Sequence, residues 1–202
     1  MRRVLPTALL VALVVLLAAC GGSDEQGGPS TTPATGPAQA PVALTGGSTT
    51  LAIDIQTAGV LADNGLEIAA VAPAREISSG VRDTTLRFPI SGGEARPDTL
   101  AGRIEHRGGL SVGDGTRRVI FRRLVVDTVA RQLTADAGAG RIPLLNLGVA
   151  LGKLSEQGGA VELAGVPATL TATAARAMSD ALATAVLRAA QIVGTVTIRI
   201  ER

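Results

Sequence analysis

The sequence predicts a mainly β domain, an antiparallel β-sandwich with one or two short helices. Three observations carry that expectation. Apolar and polar residues alternate over short runs, the period of a strand with one buried face. Gly, Pro, Asn-Gly and Asp-Gly turn signals punctuate those runs about every 8–12 residues, the spacing of a sandwich or barrel. One alanine-rich segment towards the C-terminal end carries a convincing helical stripe.

Taken in order, residues 50–55 alternate, with Leu51, Ile53 and Ile55 on one face. Thr57 is placed to cap a short helix over 58–63, closed by Asn64-Gly65. A strand over 66–71 stops at Pro73. Residues 84–90 alternate again, with Leu86, Phe88 and Ile90 together; Pro89 predicts an edge strand or a strand end, and Ser91-Gly92-Gly93 a turn. Strands over 100–105 and 110–112 flank Gly108-Gly109, and Asp114-Gly115 turns the chain. Residues 117–126 form a long strand whose phase changes near Arg122-Arg123, the mark of a bulge. Strands over 131–137 and 141–147 surround Gly138-Ala139-Gly140, and two more cover 161–164 and 166–170. Thr171 or Thr173 caps the helix, which spans 174–187 with Ala174, Met178 and Leu182 along its stripe. Residues 194–200 close the chain as a strand, with Val196, Ile198 and Ile200 on one face.

The N-terminal end follows different rules. Met1-Arg2-Arg3 is a short positive region, residues 4–17 are almost wholly apolar, and Leu17-Ala18-Ala19-Cys20 follows. That is an export signal, too short for a stable membrane span. Its last four residues resemble the lipobox of bacterial lipoproteins, which implies that Cys20 is diacylated and becomes the mature N-terminus. The expected organisation is a lipoprotein signal peptide over 1–19, a lipidated Cys20 with a flexible Gly-, Pro-, Ser- and Thr-rich tether over 20–47, and one folded domain over 48–202. The expected location is extracytoplasmic, with a lipid anchor in the cell membrane, on its outer face in a Gram-positive host. Cys20 is the only cysteine, so no intramolecular disulfide is available and stability rests on the core.

Composition narrows the chemistry. The precursor holds 19 Lys and Arg against 17 Asp and Glu, and loss of Arg2 and Arg3 leaves 17 of each, so the mature chain is formally neutral. No nucleic-acid partner is expected. Phe88 and Phe121 are the only aromatics, both in strand-like runs that read as core. No Gly-x-Ser-x-Gly elbow, metal-ligand spacing or phosphate-cradling glycine loop occurs. Asp98, Glu105, Asp127 and Asp136 are too scattered to pair for glycosidic chemistry. No catalytic residue and no metal ligand is assigned, and the chain is expected not to be an enzyme.

Two features remain. Arg117-Arg118 and Arg122-Arg123 form the densest positive run. It reads either as a patch for anionic headgroups or cell-wall polymer, or as the charged guard of an edge strand. In a regular strand, 117 and 123 would share one face and 118 and 122 the other. His106, the only histidine, alternates with Gly102 and Ile104 and so faces inward. It is either a ligand in a cleft, with Arg103 and Arg107 beside it for carboxylate groups, or a structural histidine bonded to backbone in the turn at Gly108-Gly109.

The runs Leu86-Arg-Phe-Pro-Ile90, Leu100-Ala-Gly-Arg-Ile-Glu-His-Arg-Gly-Gly-Leu110, Leu124-Val-Val-Asp-Thr128, Leu133-Thr-Ala-Asp136 and Gly165-Val-Pro-Ala-Thr-Leu-Thr171 together resemble the Htaa domain of actinobacterial cell-surface proteins of haem uptake. The resemblance covers residues 48–202. It implies a β-sandwich with a few helices, facing outward from the cell. In the haem-binding members a tyrosine is the axial ligand, supported by a histidine in the strand-to-Gly-Gly motif. His106 stands in that histidine's place, with Arg103 or Arg107 near the propionates, but this chain has no tyrosine. The leading expectation is a surface binding or envelope-structural module without a cofactor, its envelope or small-molecule partner unidentified. The alternative is a haem- or iron-binding surface protein that uses His106.

Overall fold

Strand alternation along the chain resolves into one continuous antiparallel sheet. The computed structural model describes residues 39–201 apart from 81–82 and 139; the leader, Cys20 and most of the expected tether lie outside the described residues. The elements are β1 (Val42–Ala43), β2 (Gly47–Ile53), α1 (Ile55–Asp63), β3 (Glu67–Val71), β4 (Arg75–Gly80), β5 (Asp83–Ala95), β6 (Gly102–His106), β7 (Gly109–Gly113), β8 (Arg118–Asp127), β9 (Gln132–Asp136), β10 (Arg141–Leu147), β11 (Lys153–Gln157), β12 (Ala160–Leu170), α2 (Ala172–Leu182) and β13 (Ile192–Glu201). Paired structure therefore reaches back to Val42, N-terminal to the expected start at Ser48.

The sheet closes on itself. β5, β2, β13, β12, β10, β9 and β8 pair in sequence, and β6 bridges β8 back to β5. The expected two-sheet sandwich is thus replaced by an eight-stranded antiparallel barrel, with two helices beside it. Alternation states only that each strand has one buried face, and both architectures satisfy it. What decides is β6, whose outer bonds run from Arg103–Glu105 to Val125–Asp127 on one side and from Gly102–His106 to β5 on the other. Closure removes edges that a sandwich would leave open.

β5 shows how. Pro89 was expected at a strand end and Ser91-Gly92-Gly93 in a turn, yet the strand runs through both to Ala95. Along one edge β5 pairs β4 as far as Arg87, then β6 from Ile90 onward. Within a strand a residue's N and C=O point to the same edge, and the Pro89 carbonyl accepts from the Arg107 N–H at 3.0 Å on this edge. The missing Pro89 donor therefore faces the gap between two partners and breaks no ladder bond. Gly93, at φ +103, lies where a side chain would collide with the Arg103 carbonyl, and the register shifts between Ile90 and Gly92. The glycines bend a barrel strand instead of reversing the chain.

Helix boundaries moved for local reasons. The α1 cap is Asp54, whose carboxylate accepts from the Gln56 and Thr57 N–H groups. Thr57, expected as the cap, is buried and donates its hydroxyl to the Ile192 carbonyl. Thr171 caps α2 by accepting from the Ala174 N–H at 3.1 Å, as expected. The helix stops at Leu182, where Ala183 takes a left-handed conformation at φ 48. Ala174, Met178 and Leu182 are buried along its stripe. The two strands expected over 161–164 and 166–170 are one, β12, broken in register between Leu163 and Val166 around Gly165. Phe88 and Phe121 both lie in the core.

Candidate functional site

The site grows out of a kink shared by two paired strands. β6 and β7 are one bent strand, both antiparallel to β8: Glu105 faces Val125 before the bend and Gly109 faces Arg122 after it. Arg107 and Gly108 form the bend. Opposite them, β8 carries the bulge that the phase change predicted, with Arg123 at φ 49 and the β8–β9 register shifted between Arg122 and Val125. Gly108 is required here twice over. Its φ is +81, and a Cβ would sit 2.6 Å from the Val71 carbonyl and 3.0 Å from the Ala74 side chain, where the β3–β4 connection crosses it.

The bulge changes which arginines meet. Arg122 and Arg123 are both exposed, because the extra residue restores the inward phase only at Leu124. The regular-strand expectation that these neighbours point to opposite faces is therefore overturned. The edge-strand account fails at Arg122-Arg123, where β8 has β6 and β7 on one side and β9 on the other, whereas residues 118–121 pair β7 alone and keep one open edge beside Arg118. Arg122 and Arg123 instead join Arg103, Arg107 and Arg141 around a concavity of about 520 Å3, into which His106 and Leu124 also reach. Val125 faces Glu105 in register, so it lies on the outer face, yet it is buried and forms an apolar floor.

The charges are only partly matched. Asp136, on the neighbouring β9, pairs with both Arg123 and Arg141, the latter at 3.1 Å. Arg103 meets Glu105 at 3.5 Å, a half-exposed pair worth little in water. Arg107 and Arg122 have no ion-pair partner among the described residues. Five arginines thus line one hollow, and two carboxylates, Glu105 and Asp136, pair with three of them, an arrangement that attracts oxyanions.

His106 forms the inner wall. It is 5% exposed. Its Nδ1 lies 3.2 Å from the Leu124 carbonyl and its Nε2 2.7 Å from the Thr49 hydroxyl. A carbonyl only accepts, so the hydrogen bonds assign the proton to Nδ1, and Thr49 donates its hydroxyl proton to Nε2. The backbone bond goes to β8 instead of the Gly108-Gly109 turn. Burial pushes the imidazole pKa down from 6.5 to about 4, opposed by a smaller upward pull from the Leu124 carbonyl. The ring is neutral at physiological pH and ties β2 to β6 and β8. With both nitrogens engaged, it offers no lone pair to a metal or a substrate proton in this arrangement.

All three ligand residues expected from the sequence, His106, Arg103 and Arg107, therefore meet at one concavity. Thr49 was not foreseen, because nothing in Thr49-Thr50 distinguishes a histidine partner from any other strand threonine. Arg141 was not foreseen either, since only the closed sheet brings β10 beside the kink. A second, smaller cavity of about 40 Å3 lies in the core beside α1 and α2, walled by apolar side chains including Leu61, Phe121 and Met178. Among the described residues no group of three or more His, Cys, Asp or Glu side chains could hold a metal, and no helix is long and apolar enough to cross a membrane.

No family model matches the chain, and no curated protein matches it in sequence. Among solved structures, the fold is similar to that of the C-terminal domain of HtaA from Corynebacterium glutamicum, with a TM-score of 0.51 and 11% identity over 78% of this chain and 97% of that one. At that identity the likeness concerns the fold.

Proposed function

We propose that this chain is a lipid-anchored, extracytoplasmic binding module without catalytic activity, exported by its leader and held at the membrane through Cys20. One observation carries the binding assignment: Arg103, Arg107 and three further arginines surround an open concavity of about 520 Å3 on the outside of a closed barrel. The fold supports the reading by being a rigid scaffold with its strands paired around the ring, on which a site keeps its shape. The partner is an anionic small molecule or envelope component; the balance of 17 basic and 17 acidic residues left once Arg2 and Arg3 are removed argues against nucleic acid. The leader pattern supports the anchor and the location, on the outer face of the membrane in a Gram-positive host.

Haem is the competing ligand, because the resemblance to the Htaa domain implies it and because His106, Arg103 and Arg107 do stand together. The residues present do not fit it. Both His106 nitrogens are bonded, the chain has no tyrosine, and the apolar cavity of about 40 Å3 is smaller than one for benzene, about 150 Å3.

Two experiments test the proposal. Labelled palmitate should enter the wild-type protein and not the Cys20→Ala variant; label in that variant would remove the anchor. Titration with hemin should give no Soret shift that depends on His106. A shift abolished by His106→Ala would replace the anion reading with the haem one.

A further inference from the structure

We propose that the concavity beside His106 continues into a second one, and that the two form a single track for a linear polyanion whose charges repeat along a sugar or polyol backbone. This rests on reading the first concavity as a binding site, and it names the ligand class. The second hollow measures about 400 Å3 and is lined by Arg75 and Arg87 together with Ile77, Gly47 and Ser48. Pro73 lines both hollows, and on β5 Pro89 lines one and Ser91 the other, so the two adjoin at the β3–β4 connection.

The second hollow has an unresolved electrostatic problem. Arg75 and Arg87 are register partners on β4 and β5, both exposed. Like charges directly opposite in an antiparallel pair repel and destabilise the ladder. Neither has an ion-pair partner among the described residues, and the same is true of Arg107 and Arg122 across Pro73. Four unmatched guanidinium groups thus lie along two joined hollows of a chain whose mature form is formally neutral. A small dianion would fill one hollow and leave the unmatched arginines of the other in place. A chain with recurring oxyanions relieves both, and guanidinium forks take phosphate or carboxylate oxygens in pairs.

Other anionic partners fit less well. A nucleic-acid strand is held partly by bases stacking on aromatic side chains, and both phenylalanines here are buried. A membrane-lying face needs an apolar band that enters the lipid, whereas these arginines surround hollows in which Ile77 is the one exposed large apolar residue.

The test uses the purified full chain carrying Cys20→Ala, so that no lipid confuses the result. Four probes are compared: a labelled poly(glycerol phosphate) chain, polygalacturonate, glycerol 1-phosphate, and phosphatidylglycerol vesicles. At least one polymer should bind about a hundredfold more tightly than the monomer, since linked charges act at high effective concentration. Its affinity should fall steeply with salt, by a log–log slope of roughly 0.7 per charge neutralised. Which polymer binds identifies the source of the oxyanion. The Arg75→Ser/Arg87→Ser variant should lose about tenfold in polymer affinity with a flatter salt slope, and should bind the monomer as before. Equal binding of polymer and monomer, or a double variant that binds the polymer unchanged, overturns the track while leaving anion binding beside His106 intact. Binding to vesicles alone overturns it in favour of a membrane surface. A folded chain that binds none of the four overturns both the track and the binding assignment beneath it.

Discussion

The helix-covered side of the barrel and the kink between β6 and β7 draw on the same strands but enclose different spaces. Beside the helices, β8 contributes Phe121 to an apolar cavity of about 40 Å3. One residue later it contributes Arg122 to an open, arginine-lined hollow of about 520 Å3. A single strand serves both because its two faces look in opposite directions, and the bulge then keeps Arg123 outside with Arg122. The interior is specified by volume and the exterior by charge. Along β8 the buried Phe121 and the exposed Arg122 and Arg123 separate stability from binding, whereas the buried Leu124 and Val125 line the hollow too, as His106 and Gly108 do from the facing strand and bend.

Phe121→Ala should break the interior half of this comparison. The ring is fully buried, so its removal should cost about 3–5 kcal/mol, read from the denaturant midpoint. A loss below about 1 kcal/mol would mean that the helix-covered side is not tightly packed.

His106 sharpens the boundary between the halves. Its folded-state pKa of about 4 lies below the ordinary 6.5, so between those values the unfolded chain binds more protons than the folded one. The contribution is complete above pH 6.5 and disappears as pH falls through 4, up to about 3 kcal/mol in all. Unfolding titrations from pH 7 to pH 4 should show that decline, and His106→Gln should flatten it. An equally steep decline in the variant would mean that other groups cause it.

Gly108→Ala tests whether the kink is fixed by backbone approach. The left-handed φ and the crowding by Val71 and Ala74 together predict a loss of about 1–3 kcal/mol in the same assay. The smallest effect belongs to the rim. Arg107→Ser and Arg122→Ser should change stability by no more than about 0.5 kcal/mol, because neither side chain has an ion-pair partner to lose among the described residues. A larger destabilisation in thermal melts would tie the arginines to the fold and blur the division.

Much of this architecture was legible in the chain. The inward triad Val196, Ile198 and Ile200, the Thr171 cap and the bulge at Arg122-Arg123 follow from local rules of periodicity and hydrogen bonding, which act over a few residues. β4 and β11 leave no such mark in the sequence. β11 has no buried residue, so no apolar alternation marks it. Barrel closure was not legible either, because it depends on β6 finding β5 and β8 at once, a matter of pairing between distant segments. The same is true of the site. The cluster of His106 with its two neighbouring arginines could be read from adjacency in sequence. Thr49, Asp136 and Arg141 come from strands that meet only in three dimensions.

The antiparallel register of the N-terminal strands has a mechanical consequence. Val42–Ala43 and Ser48–Ala52 lie along the same edge of β5, in one register that runs from Ala95 back to Thr85, and β2 is also bonded to the C-terminal β13. A pull entering from residue 42 is directed along these strands and not across them. The rungs on both sides of β2 then carry the load together, as in a clamp sheared along its length, instead of opening one after another like a zip. If the domain is held by its N-terminal end, as proposed, the strands at the two ends of the fold form its grip.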